Sequence, residues 1–162
     1  MARLKEEEKP EDIICYHGYP EIEESIDDLH AWAAGIIDGE GCITLLTANT
    51  ERYYLVVIVN NTDYIMLKTL AALFGGRIRP VKPKRNSRKP IYKWCVYSQE
   101  AENCLKLLLP YLIVKYDQAV IGLKSREFMA YQGGNPTKES YTSLAWLYQE
   151  LKDMKHRIIP GG

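Results

Sequence analysis

The apolar positions divide the chain into alternating helical and extended segments. Residues 31–37 are small, aliphatic or aromatic and carry no charge before Asp38. Ser25, Asp27 or Asp28 can cap a helix there, running through Leu29 and Trp32 to about Asp38. CITLLTA, from Cys42, and RYYLVVIVN, from Arg52, are β-prone, and Asn49-Thr50-Glu51 between them reads as a turn. The pair predicts a hairpin. A second helix follows, capped by Asn61, Thr62 or Asp63, with apolar residues at 65, 66, 67, 70, 73 and 74 and a stop at Gly75-Gly76. RIRPV and IYKWCVYS read as two more strands joined by the polar loop KPKRNSRKP.

Beyond them, EAENCLKLLLPYL predicts a helix ending near Pro110, and KYDQAVIGLKSREFMAY another. QGGNPTK reads as a linker. A final helix from about Glu139 to Arg157 gathers Tyr141, Leu144, Tyr148, Leu151, Met154 and Ile158 on one face. The order is helix, two strands, helix, two strands, then helices. It predicts an α+β fold with a four-stranded antiparallel sheet, helices on one face and the other face free. The expected organisation is an acidic extension over 1–26, a core domain over 27–131, and a linker with a C-terminal helix over 132–162.

Composition narrows this picture. At 162 residues and 46% apolar, the chain can build one domain with a real core. No apolar run nears the roughly 20 residues of a membrane span. The first residues lack the apolar stretch of a signal peptide. Cys15, Cys42, Cys95 and Cys104 form no CxxC pair and fit reduced thiols. These features lead us to expect a cytoplasmic or nucleoid-associated protein, or an organellar one if its gene is organellar.

Formal net charge is zero, but the charges are segregated. Residues 1–30 hold ten acids against three bases, whereas Arg77 to Lys93 holds eight bases and no acid. A neutral protein with one dense basic segment can bind a polyanion locally. The same run also reads as a solvated loop.

The chemistry lies at the end of the first helix, in AAGIIDGEG over residues 33–41. Ala31, Gly35 and Gly39 fall four apart, with Ala34 beside Gly35, so another helix backbone could approach closely. Packing within one chain is the plainer reading of that spacing. Asp38 and Glu40 stand where the helix dipole is negative and carboxylates are disfavoured. A divalent cation would compensate. Mg²⁺ takes carboxylate and carbonyl oxygens, and Gly39 lets a backbone carbonyl approach it.

AAGIIDGEG resembles the LAGLIDADG motif of homing endonucleases. Ala33 stands for the first Leu, Asp38 for the first acid and Glu40 for the catalytic acid. The predicted element order agrees with that family from about residue 30 to 130. VNNTDYIMLKTLAALFGG resembles the exit of the family's second strand, which places Asn61 where a polar residue orders active-site water, although Gln is commoner there. PYLIVKYDQA resembles the family's Pro-aromatic-Leu…Lys…Gln-Ala segment, which places Lys115 at the active site. Taken alone, Lys115 reads as a surface residue.

The resemblance implies a saddle-like αββαββα sheet lying in the major groove of double-stranded DNA. With one motif per chain it implies a homodimer on a long, roughly palindromic target. The motif helices, through Ala31, Ala34, Gly35 and Asp38, would meet at the two-fold axis. Each subunit would give Glu40 to paired Mg²⁺ sites, with other divalent cations possible. The outward strand residues Arg52, Tyr54, Arg77, Arg79 and Lys93 would then face the groove. Lys82, Lys84, Arg85 and Arg88 would meet phosphates. On the fourth strand, periodicity permits either Tyr92 and Trp94 or Lys93 and Tyr97 to face outward. Charge favours Lys93. The rival reading is a non-cleaving binder on the same fold, an intron maturase acting on RNA or a transcription regulator. No N-terminal Cys or Ser nucleophile and no terminal His-Asn pair suggests an intein, so a free-standing, intron-encoded protein is expected.

Overall fold

The structure, a computed structural model, describes residues 25–48, 52–82, 89–130 and 137–155. Residues 1–24 of the expected 1–26 extension, with Lys84, Arg85, Arg88 and Ile158, lie outside them. Helix α1 spans Ile26–Glu40, β1 Gly41–Ala48, β2 Arg52–Asn61, α2 Tyr64–Phe74, β3 Arg77–Val81, β4 Ile91–Tyr97, α3 Ser98–Leu108, α4 Tyr116–Ala130 and α5 Lys138–Lys155. A 3-10 turn, Leu109–Tyr111, links α3 to the segment before α4.

Local chemistry sets the boundaries. Ser25 caps α1 by accepting from the Asp28 amide, and Asp28 in turn accepts from the Ser25 amide, so two orphan donors are satisfied reciprocally. The helix runs two residues beyond the expected end at Asp38 and stops where β1 begins. A Cβ at Gly41 would stand 2.6 Å from the Ile37 carbonyl oxygen, so only glycine lets the strand leave so close to the helix. Asp63 caps α2 by accepting from the Met66 amide. Gly75 and Gly76 end α2 with φ of +73° and +87°, the left-handed region that glycine enters at no steric cost.

The sheet is antiparallel with strand order β1-β2-β4-β3. Its register sorts the faces. Gly41, Ile43 and Leu45 pair with Val59, Val57 and Leu55, and Val57 and Val59 pair with Val96 and Trp94. These residues form the inner face. Against it pack Ala33, Ala34 and Ile37 of α1, Leu67 and Leu70 of α2, Ala101, Leu105 and Leu108 of α3, and Leu147 and Leu151 of α5. Trp94 is fully buried and donates its indole N–H to the Gly75 carbonyl at 2.9 Å, so the core aromatic is satisfied. In α5, Leu144, Leu147 and Leu151 are buried, and Tyr141 and Tyr148 pack on Tyr53 at ring distances of 5.8 and 5.7 Å. Among the described residues no helix is long and apolar enough to cross a membrane.

The opposite face displays the alternate residues. Cys42, Thr44, Leu46 and Ala48 pair with Ile58, Val56, Tyr54 and Arg52; Lys93, Cys95 and Tyr97 continue the face across β4, and Arg79 and Arg77 across β3.

Candidate active site and nucleic-acid interface

The carboxyl end of α1 is tied to a segment more than seventy residues away. Asp38 accepts the backbone N–H groups of Ile113 at 2.8 Å, Val114 at 3.1 Å and Lys115 at 2.8 Å. Partial burial works against its ionisation, but those donors and the Lys115 ammonium outweigh it. They hold the carboxyl below its ordinary 3.8. The Lys115 side chain returns the contact, its ammonium donating to the Asp38 backbone carbonyl. The helix has no basic residue in its own last turn. Lys115 therefore supplies the positive charge that the negative end of the dipole favours.

The same segment is pinned at the other end of α1, where the Tyr111 hydroxyl donates to Asp27 at 3.1 Å. His30 stacks between Phe74 and Tyr111, with ring centroids at 6.0 and 6.4 Å. The 111–115 segment thus touches α1 at both ends, through the Tyr111 side chain at the first turn and its backbone at the last, and delivers Lys115 to the end of α1 that carries Glu40.

Glu40 is exposed and enters no ion pair or hydrogen bond with another described residue. Asp38 has the opposite fate: both carboxylate oxygens are consumed inside the chain. The two acids of the motif therefore separate: Asp38 clamps the 113–115 segment, and Glu40 is exposed with no partner among the described residues. Asp38, which the resemblance assigns to a dimer interface, braces the Lys115 segment within the chain. Asn61 stands two residues beyond Val59, the partner of Gly41, at the same end of the sheet as Glu40. It lies on the inner face opposite Tyr92, and its side-chain oxygen accepts the Asp63 amide at 2.9 Å. Its amide nitrogen, with two N–H donors, remains to act elsewhere.

The exposed stripe of α1 contains Ala31, Trp32, Gly35 and Gly39. A Cβ at Gly35 or Gly39 would meet nothing within 4 Å. Among the described residues nothing requires either glycine, although one in a helix interior, such as Gly35, costs about 0.8–1 kcal/mol relative to alanine. Ala34 was expected on this stripe, but its side chain is fully buried in the chain's own core. It lies one residue, about 100° of helix, from the Ala31-Gly35-Gly39 line. Two residues that sequence reasoning missed adjoin the stripe: Ile113 and Val114 are 85% and 73% exposed and are held at the end of α1 by Asp38.

On the outer sheet face, Arg52, Tyr54, Arg77, Arg79 and Lys93 all point away from the helices. The register resolves the fourth strand in favour of Lys93 with Tyr97, because Tyr92 and Trp94 belong to the core side. Lys82 follows β3 and is exposed. Among the described strand residues this face holds four cations and no carboxylate. Sequence reasoning also missed Lys155. From the last turn of α5 its ammonium lies 3.2 Å from the Cys42 sulfur, and Cys42 is two residues after Glu40.

No protein-family model matches the sequence, and no curated protein sequence does either. Solved structures do match. The homing endonuclease I-CvuI, in complex with DNA, is 23% identical with a TM-score of 0.66, over 83% of this chain and 87% of that one. The archaeal intron-encoded homing endonuclease I-Vdi141I, complexed with DNA, is 18% identical with a TM-score of 0.68, over 85% and 89%. The LAGLIDADG meganuclease I-AabMI, bound to uncleaved DNA, is 18% identical with a TM-score of 0.59; the match spans 82% of this chain but 50% of that one. The chain has the LAGLIDADG homing-endonuclease fold.

Proposed function

We propose that this chain, which has the LAGLIDADG homing-endonuclease fold, is a single-motif homing endonuclease. It would act as a homodimer that cuts both strands of a long, roughly palindromic DNA target. The observation that carries the reading is the division of labour at the end of α1. Asp38 locks the 113–115 segment in place and leaves Glu40 free beside the Lys115 ammonium. A purely structural helix end has no use for an unpaired carboxylate there. The four cations, unaccompanied by a carboxylate among the described strand residues of the sheet's outer face, support a polyanionic substrate. DNA complexes of I-CvuI and I-Vdi141I support duplex DNA as that substrate.

Dimerisation is supported by three features. Gly35 and Gly39 are unexplained within one chain, Ile113 and Val114 are exposed beside them, and this chain matches half the length of I-AabMI. Two α1 stripes packed about a two-fold axis would bury all of these apolar groups and bring the two Glu40 tips together.

Mg²⁺ fits the donors, which are hard oxygens. Among the described residues no three His, Cys, Asp or Glu gather into a metal cluster. One chain offers the Glu40 carboxylate and the backbone carbonyl at Gly39. Glu40 of the partner subunit and the DNA phosphates would supply the remainder. When bound, the ion supplies Lewis acidity at the scissile phosphate and acidifies bound water. Lys115 would stabilise the charge that develops on the phosphate. The Asn61 amide nitrogen would orient a water molecule, and Asp38 would fix the position of Lys115. Lys82, Lys84, Arg85 and Arg88 would grip backbone phosphates. The protein would work wherever its target DNA resides, in cytoplasm, nucleoid or organelle.

The test is cleavage selection. The purified protein is incubated with Mg²⁺ and a randomised palindromic duplex library, and cut ends are sequenced. Recovery of one two-fold target cut on both strands supports the reading. Sequence-specific binding without cutting would favour the transcription-regulator alternative, and stimulated splicing of a host intron RNA the maturase.

A further inference from the structure

The outer face of the sheet carries two chemistries in two places. Arg77, Arg79 and Lys93 stand on β3 and β4. Their β4 neighbours pair with Ile58 and Asn60, near the end of the sheet that carries Glu40. The β1–β2 ribbon runs away from that end. Its outward cross-strand pairs are Cys42 with Ile58, Thr44 with Val56, and Leu46 with Tyr54, before Ala48 with Arg52. Leu46 is 42% exposed, and no described helix lies on this face to cover it. Val56 is fully buried although its register places it on this face between Thr44 and Tyr97.

A free face of an antiparallel sheet is normally polar. An apolar strip continuous with a cationic surface that holds no carboxylate among its described strand residues fits a partner that is a polyanion and also offers small apolar groups. In the major groove those groups are the C5 methyls of thymine.

We infer that the β1–β2 ribbon selects thymines, with Leu46 and Thr44 as specificity-determining residues. The half-site then carries G·C pairs near the cut, facing Arg77 and Arg79, and T·A pairs farther out. This rests on the DNA-cleaving reading above. The spacing agrees. Residues 44 and 46 are two apart on an extended strand, about 6.8 Å, which equals about two base-pair steps of 3.4 Å. The two thymine contacts therefore fall two positions apart in each half-site, with Tyr54 closing over the outer one beside Leu46.

The experiment uses the duplex recovered from the randomised library. Wild type is expected to select thymine at two outer positions per half-site. Replacing the outermost by deoxyuridine, which removes only the methyl, should weaken wild-type binding about fourfold. Leu46→Ala, an exposed position, should bind thymine and deoxyuridine alike at that position and still feel the change at the inner one. Absence of outer thymines, or full tolerance of deoxyuridine by wild type, overturns the assignment while leaving DNA cleavage intact. Recovery of no sequence at all overturns both the assignment and the DNA reading on which it rests.

Discussion

Replacing Asp38 by asparagine should release the segment that carries Lys115. The carboxylate accepts three backbone N–H groups, from Ile113, Val114 and Lys115. An amide keeps one acceptor oxygen. With that oxygen turned to Ile113 and Val114, the orientation that keeps more bonds, the NH₂ group faces the Lys115 amide, donor against donor. One bond is lost and the other two lose their charge assistance. The lost bond costs about 1 kcal/mol and each weakened one about 0.5 kcal/mol, because Asp38 is only half-buried and water can replace part of the contact. The segment should therefore open about 2 kcal/mol more readily, which raises amide exchange at 113–115 about 30-fold. Amides in the β2–β4 ladder should be unaffected. Native-state hydrogen exchange read residue by residue is the assay, with single-turnover cleavage beside it. Cleavage should fall while DNA binding holds, because Lys115 loses its place and the outer sheet face does not. Exchange at Ile113, Val114 and Lys115 equal to wild type would refute the role of Asp38 as the clamp.

Three further outcomes follow from the same geometry. The folded pKa of Asp38 is depressed below 3.8. Its stabilisation is thus complete above that value and lost as pH falls through the folded pKa, so the Tm gap between wild type and Asp38→Asn should be constant at neutral pH and close below about 3.8. Gly35→Leu adds about 0.8 kcal/mol of helix propensity into open space in one chain, yet should block two α1 helices from meeting. Sedimentation at micromolar protein should show a folded monomer, and a persistent dimer would remove α1 from the interface. Lys115→Met should lower the cleavage rate about 10²-fold or more with little change in DNA affinity, and Lys115→Arg should recover part of it.

Much of the fold was legible because local signals agreed with one another. Capping residues, the Gly75-Gly76 stop and the β-prone runs fixed the elements to within a residue or two. The overrun of α1 past Asp38 has a local cause. Gly39 weakens a helix without ending it, and the chain turns only at Gly41, where β1 forces a close approach to Ile37. Alternation placed Arg77 with Arg79 and Arg52 with Tyr54, but the fourth strand needed its pairing with β2 before Lys93 could be assigned outward.

The site was half legible for the same reason. Glu40 and Lys115 could be picked out through motif resemblance. What brings Lys115 to the end of α1 is Asp38 gripping a segment remote in sequence, and no periodicity encodes that contact. Ile113 and Val114 read as ordinary apolar residues until the fold left them outside, and Ala34 read as an interface residue until the fold turned it inward. Lys155 reaches Cys42 only because α5 ends beside the start of β1.

In the proposed function Glu40 serves the chemistry alone and contributes nothing to DNA binding or folding. Glu40→Gln keeps the shape and removes the charge of an exposed side chain with no partner among the described residues. With the duplex selected by wild type and Mg²⁺ present, the account predicts unchanged melting temperature, DNA affinity within a few-fold of wild type and no detectable cutting of either strand. Cutting by the glutamine variant at a rate near wild type would contradict it.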